Sequence, residues 1–191
     1  DTIFEIGGQD SKFISIQNGA VVDFEMNKAC AAGTGSFLEE QAERLGIGIK
    51  QEFERCAFKA GSPCRFGERC TVFMESDLVH SMNRGAGVEE LTAGLAYSIA
   101  YNYINRVVRG RPVRDCVFFQ GGTAYNDAVA AAFASVLGRC IIVPPYNGVI
   151  GAIGMALIAR DHALAPGAGP TSFKGFGIHR RRYETSSFEC S

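Results

Sequence analysis

The first quarter of the chain alternates between apolar and polar positions. Thr2 to Ile6 is short, apolar and β-prone, Gly7 and Gly8 interrupt it, and Lys12 to Gln17 resumes the alternation as far as Asn18-Gly19. An Asn-Gly pair between two such runs signals a hairpin, because both residues tolerate the positive φ of a tight turn. A third strand, Val21 to Met26, is therefore expected to pair back on the second. The period then changes. After Gly33-Thr34-Gly35, the positions Phe37, Leu38, Gln41, Ala42 and Leu45 have helical spacing, and Gly46 is a natural stop.

From Ile47 to Glu68 the pattern is mixed, and Gly61, Pro63 and Gly67 break any long element, so this part reads as a short helix and loops. Two helices are expected next, about 71–84 and 88–109, the second with Leu91, Leu95, Ile99, Tyr103 and Val107 on one stripe. Cys116 to Phe119 has the composition of a buried strand, Gly121-Gly122 that of a tight turn, and Ala124 to Leu137 that of an Ala-rich helix. A strand at Ile141 to Val143 ends at Pro144-Pro145. The last helix, Gly148 to Ala163, carries small residues that permit close packing. Three antiparallel strands, an insertion, then strand, helix, strand, helix make an α/β protein. The order is that of the ribonuclease-H-like half of the actin/Hsp70/sugar-kinase fold. The expected domain covers 1–163 with a helical insertion at about 47–110, and 164–191 reads as a Gly- and Pro-rich linker or tail.

Composition narrows the function. The apolar fraction is 47% and the formal charge −1, which gives no electrostatic case for nucleic acid or a membrane surface. The one dense basic run, Arg180 to Arg182, reads as a solvated turn or interdomain contact. Apolar stretches such as Ala128 to Val136 are shorter than the about 20 residues that a membrane span needs. Seven cysteines, an odd number without a secretory leader, point to a reducing cytoplasm, where each is a buried thiol or a metal ligand.

Three glycine turns carry candidate chemistry. Glu5-Ile6-Gly7-Gly8-Gln9-Asp10 links the first two strands. A glycine pair there is either a plain tight turn or a place where backbone N–H groups approach a phosphate, with flanking carboxylates holding magnesium through water. Gly33-Thr34-Gly35 opens a helix whose unsatisfied amides and dipole favour an anion, although Thr34 is equally suited to be a plain N-cap. Gly121-Gly122-Thr123-Ala124-Tyr125-Asn126 lies at the C-terminal end of a strand, where open α/β sheets bind ligands.

Taken together, these motifs resemble those of the BadF/BadG/BcrA/BcrD-type ATPases, the activators of 2-hydroxyacyl-CoA dehydratases. Residues 7–12 resemble the family's second phosphate motif, residues 121–126 its adenosine motif, and Gly151-Ala152-Ile153-Gly154 its connecting helix. The family usually has Asp at the position of Glu5, which keeps the carboxylate and adds a methylene. Two further motifs, residues 27–35 and 68–76, set the family apart from sugar kinases and chaperones, and the resemblance implies that Cys30 and Cys70 from each of two subunits ligate one [4Fe-4S] cluster. Both cysteines precede expected helices, where a positive helix end favours the thiolate that iron needs. A cubane needs four thiolates, so a symmetric dimer completes the set.

The function so implied is an ATPase that delivers low-potential electrons. ATP/ADP with Mg2+ would lie against Gly7, Gly8, Gln9, Gly33, Thr34, Gly35, Gly121, Gly122 and Asn126, and Asp10 and Glu5 would organise magnesium or the attacking water. The implied partners are a 2-hydroxyacyl-CoA dehydratase-like acceptor and a ferredoxin- or flavodoxin-type donor. The family's first phosphate hairpin, Asp-x-Gly followed by Ser or Thr and Lys, does not occur in these residues, so the chain is expected to be one lobe of the catalytic unit and inactive alone. Cys116 and Cys140 are expected as buried thiols, Cys56 and Cys64 match no zinc pattern, and Cys190 lies where a cysteine-rich segment follows in long members. His80, His162 and His179 share no motif. The alternatives are a small-molecule (acetamidosugar) kinase of the same fold, and a non-catalytic interaction module.

Overall fold

The computed structural model describes residues 1–28, 31–68, 70–170 and 172. Cys30, Cys190, His179 and the basic run 180–182 lie outside them. Five strands form one sheet: β1 (Thr2–Ile6), β2 (Ser11–Gln17), β3 (Ala20–Met26), β4 (Cys116–Gln120) and β5 (Cys140–Ile142). Their order is β3-β2-β1-β4-β5, with β1, β2 and β3 antiparallel and β1, β4 and β5 parallel. This is the sheet of the ribonuclease-H-like half of the actin/Hsp70 fold.

Alternation along the strands creates two unlike faces. Phe4, Ile6, Phe13, Val117 and Phe119 are buried beneath the helices. They pack on α4 (Val88–Tyr103) and α5 (Asp127–Leu137), where Phe133 stands 5.4 Å from Phe4 and 5.2 Å from Phe119 between ring centroids. Each fully buried ring stabilises by about 2–3 kcal/mol, with about 1 kcal/mol more from each tilted aromatic pair. Leu91, Leu95, Ile99, Tyr103 and Val107 are all buried as their spacing predicts. Tyr103 is fully enclosed, and its hydroxyl donates to the Lys12 carbonyl at 2.7 Å. On the opposite face of β3, Val22, Phe24 and Met26 are exposed.

Two elements differ from expectation. The helix expected over 88–109 runs as α4 only to Tyr103 and then continues as a π-helical turn, Ile104–Val108, closed by Arg109 in the left-handed region and by Gly110. The expected helix 124–137 is two pieces. A 3-10 turn covers Gly122–Tyr125, and α5 starts afresh at Asp127 because Asn126 adopts an extended conformation and its Oδ1 accepts the Ala128 amide at 3.1 Å. The remaining helices are α1 (Gly35–Arg44), α2 (Glu52–Ala57), α3 (Thr71–Asn83) and α6 (Ile150–Leu164). Cys116 and Cys140 are not core thiols. They face each other across β4 and β5, Cys116 half-buried and Cys140 exposed.

The chain divides into two compact units, 1–152 and 153–191. The second contains most of α6, a helix without a buried residue, and the part of the tail that the structure describes. Among the described residues no helix is long and apolar enough to cross a membrane.

Candidate functional site

Three glycine turns far apart in sequence meet at the end of the sheet. Gly7 closes the β1–β2 turn by donating its amide to the Asp10 carbonyl at 2.8 Å. The same turn caps α1: the Gly35 amide donates to Gly7 O at 2.8 Å, the Ser36 amide to Gly8 O at 2.7 Å, and Ser36 Oγ also donates to Gly8 O. Thr123, from the turn after β4, approaches Gly7 O at 3.5 Å through its hydroxyl. A Cβ on Gly35 would lie 3.0 Å from both Gly7 O and Thr123 Oγ1, so a side chain there would push these three segments apart. The β4 turn needs glycine for another reason as well. Gly121 has φ +95°, and a Cβ there would fall 2.3 Å from the Ile6 carbonyl oxygen.

This packing occupies part of the α1 N-terminus. A helix leaves its first amides without intrahelical partners, and here three of them are taken: Thr34 N by Ala31 O at 3.1 Å, and Gly35 N and Ser36 N by the hairpin. Thr34 is fully buried, and its hydroxyl donates to the Ala31 carbonyl at 2.7 Å instead of capping the helix. Gly33 is buried against the backbone of α4, where a Cβ would fall 3.3 Å from Tyr103 N. Residues 33–35 therefore fasten α1 to the hairpin and to α4. Among the glycines of the three turns, Gly8 and Gly122 are those where a Cβ would meet nothing within 4 Å.

Between them lies a cleft of about 640 Å³, lined by Gly8, Gly35, Gly122, Thr123, Tyr125 and Asn126 on one side. Leu38 and Glu39 of α1, together with Ile49, Lys50, Gln51 and Glu54, form the other side. Asn126 is 8% exposed and its Oδ1 caps α5, yet its Nδ2 has no partner. A buried amide N–H without an acceptor is costly, and a ligand in the cleft would supply one. The Tyr125 ring packs over Gly148, where a Cβ would come within 2.8 Å of it. Gly121 and Asn147 bond reciprocally, Gly121 N to Asn147 O at 2.9 Å and Asn147 Nδ2 to Gly121 O at 3.0 Å.

Glu5, Gln9 and Asp10 occupy different settings. Glu5 is half-buried on β1, ion-paired with Lys12 Nζ at 2.9 Å, and accepts from Gln120 Nε2 at 3.2 Å. Gln9 and Asp10 are exposed in the turn, and the Gln9 carbonyl accepts from Asn27 Nδ2 at 3.1 Å. The wall formed by Lys50, Gln51 and Glu54 has no signature in the sequence, since no glycine or charge pattern marks it. It reaches the cleft because α2 docks beside α4 and α5, where the Glu54 carboxylate accepts the Asp127 amide at 3.2 Å. Gln51 there has φ +63°, a left-handed strain of the kind that collects at ligand sites.

Cys70 is half-buried at the N-cap of α3, and Cys30 lies outside the described residues. Along α3 the apolar side chains Val72, Phe73, Val79 and Met82 are exposed. The Arg44–Glu75 ion pair joins the end of α1 to the same helix. In the insertion, Cys64 is held as a thiol, its pKa raised by burial and by the nearby Glu90 carboxylate. Among the described residues no three His, Cys, Asp or Glu side chains group as metal ligands.

Residues 1–159 match the model of the BadF/BadG/BcrA/BcrD ATPase family. The (R)-2-hydroxyglutaryl-CoA dehydratase activating ATPase of Acidaminococcus fermentans is 37% identical over 85% of this chain and 62% of its own length. The 2-hydroxyisocaproyl-CoA dehydratase activator of Clostridioides difficile is 34% identical over 85% of this chain and 60% of its own. The crystal structure of the A. fermentans dehydratase component A superposes with a TM-score of 0.80 at 35% identity, covering 86% of this chain and 62% of that one. The C. difficile activator with bound ADPNP does so with a TM-score of 0.79 at 34% identity, covering 85% and 60%. The chain thus spans about three fifths of the length of these relatives.

Proposed function

The chain belongs to the BadF/BadG/BcrA/BcrD ATPase family, and from that premise we propose that it is the second nucleotide-binding lobe of an ATP-dependent activator that passes low-potential electrons to a 2-hydroxyacyl-CoA dehydratase-like partner. The observation that carries this reading is the contact of Gly35 with Gly7, Gly8 and Thr123. It brings the hairpin, the start of α1 and the 121–126 turn to one cleft.

In this proposal bound Mg-ATP supplies the phosphoanhydride whose hydrolysis drives the cycle, and a shared [4Fe-4S] cluster supplies the one-electron carrier. The chain's residues do the rest. Gly8 and Gly122 open their backbone to the nucleotide, Asn126 Nδ2 donates into the cleft, and Tyr125 forms its rim. Asp10, exposed in the turn close to Gly8 in the chain, is the proposed residue to hold magnesium through water or to orient the attacking water, while Glu5, engaged by Lys12 and Gln120, steadies the strand beneath it. Gly7, Gln9, Gly33, Thr34, Gly35 and Gly121 shape the cleft.

Coupling to electron transfer runs through α1. Its first turn is bonded to the carbonyls of Gly7 and Gly8, its last carries Arg44 paired with Glu75 of α3, and α3 starts at Cys70. In sequence only Ala31 and Ala32 separate Cys30 from Gly33. A shift of the hairpin with nucleotide state therefore moves α1 as a lever between the cleft and the cysteine segments. The exposed Val72 and Phe73 beside Cys70 suit a homodimer contact that brings two pairs of thiolates together. A ferredoxin- or flavodoxin-type protein is the proposed donor and the cytoplasm the proposed location.

Calorimetric titration of the chain with Mg-ADP tests the nucleotide reading: a saturable isotherm that Gly35→Val abolishes supports it. An isotherm unaffected by Gly35→Val and by Asn126→Ala would place any nucleotide elsewhere.

A further inference from the structure

A second cavity, sharing no lining residue with the nucleotide cleft, lies where the start of β2 meets the Asn27-Lys28 segment and the end of α4. Its volume is about 100 Å³. At about 30 Å³ per water, that is room for a four-oxygen anion and far too little for a nucleotide. Among the described residues, Ser11, Asn27, Lys28, Asn102, Arg106 and Arg109 line it, and no carboxylate does.

The walls are fixed by hydrogen bonds. Asn27 Oδ1 accepts the Ser11 amide at 2.8 Å, and Asn102, fully buried, accepts from Arg106 Nε at 3.1 Å. Arg109 closes the π-helical turn with φ +51°. Ser11 itself is 0% exposed, and its hydroxyl has no hydrogen-bond partner. A buried hydroxyl without a partner, in a cavity whose described lining holds three cationic side chains, suits an acceptor that carries negative charge.

We propose that this cavity binds a small tetrahedral oxyanion of the inorganic phosphate class, with Ser11, Lys28, Arg106 and Arg109 as its donors. The site lies behind the hairpin, because Asn27 bonds both Ser11 and the Gln9 carbonyl. An anion there would brace the hairpin through Asn27. The inference does not depend on the nucleotide reading, since none of the four proposed donors lines the cleft and the ligand is too small to be a nucleotide.

The test is titration of the 191-residue chain with sodium phosphate, followed by calorimetry and by thermal melting. The expected result is one saturable site and a melting temperature that rises with phosphate. Ser11→Ala should abolish that rise and melt no lower than the unsubstituted chain without phosphate, because it removes an unsatisfied buried hydroxyl. Lys28→Gln, at an exposed position outside the core, should weaken phosphate binding about five- to tenfold through the loss of one charge-assisted contact. Saturating Mg-ADP should leave phosphate affinity unchanged. The proposal is overturned by the absence of saturable phosphate binding, or by phosphate affinity that both variants retain. Displacement of phosphate by Mg-ADP would likewise overturn it.

Discussion

The carbonyl oxygen of Gly7 accepts the amide hydrogen of Gly35 at 2.8 Å, which makes the strand hairpin the cap of α1. Two segments that read separately as phosphate loops are one structural unit.

Gly35→Ala is therefore expected to separate them. The added Cβ meets Gly7 O and Thr123 Oγ1 at 3.0 Å, and overpacking of this kind costs about 1–3 kcal/mol. Thermal melting should show that loss, and Mg-ADP titration should show affinity falling further than stability alone explains.

Asn126 caps α5 and has a proposed contact to nucleotide, two roles that substitution separates. Asn126→Asp keeps an N-cap acceptor for Ala128 and removes the Nδ2 donor, so stability should hold while nucleotide affinity falls about tenfold, roughly one unmade hydrogen bond. Asn126→Ala should lose about 1 kcal/mol of stability as well. Equal nucleotide affinity in all three proteins would remove Asn126 from the site.

Tyr103 predicts an alkaline limit to stability. Burial, with a smaller contribution from the Glu5 charge, holds its phenol neutral well above the ordinary value of 10.0. The unfolded chain ionises this tyrosine at about pH 10 while the folded one does not, so stability present below that pH is lost as pH rises through it. Tyr103→Phe should cost about 1 kcal/mol at neutral pH, for the lost bond to the Lys12 carbonyl. It should also flatten the decline above about pH 10 in denaturant titrations.

For the cysteines the decisive comparison is among three variants of the whole protein, reconstituted anaerobically with iron and sulfide. Cys30→Ala and Cys70→Ala should each abolish the visible cluster absorption. Cys64→Ala should keep it, because burial and Glu90 disfavour the thiolate at that position. A cluster retained in both of the first two variants would remove the proposed ligand pair.

Much of the scaffold is legible in the sequence. The Asn18-Gly19 turn, the apolar stripe on α4 and the stop at Gly46 follow from local periodicity and turn chemistry, and the structure has them where those rules put them. The site is legible as a set of glycines but not as a division of labour among them. Whether a glycine meets a ligand or a neighbouring backbone depends on partners distant in sequence: Tyr103 for Gly33, Gly7 and Thr123 for Gly35, Ile6 for Gly121. The same holds for Cys116 and Cys140. Their apolar neighbours suggest core positions, but the pair lies on the sheet face opposite Phe119 and Val117.

The reciprocal bonds between Gly121 and Asn147 bear on the order of assembly. These bonds join residues 26 positions apart, with α5 and β5 lying between them in the sequence. A nascent chain ending before Asn147 would hold β4, the 122–125 turn and α5 without these two bonds. On the proposed nucleotide role, ligand capture would then require completion of the parallel half of the sheet.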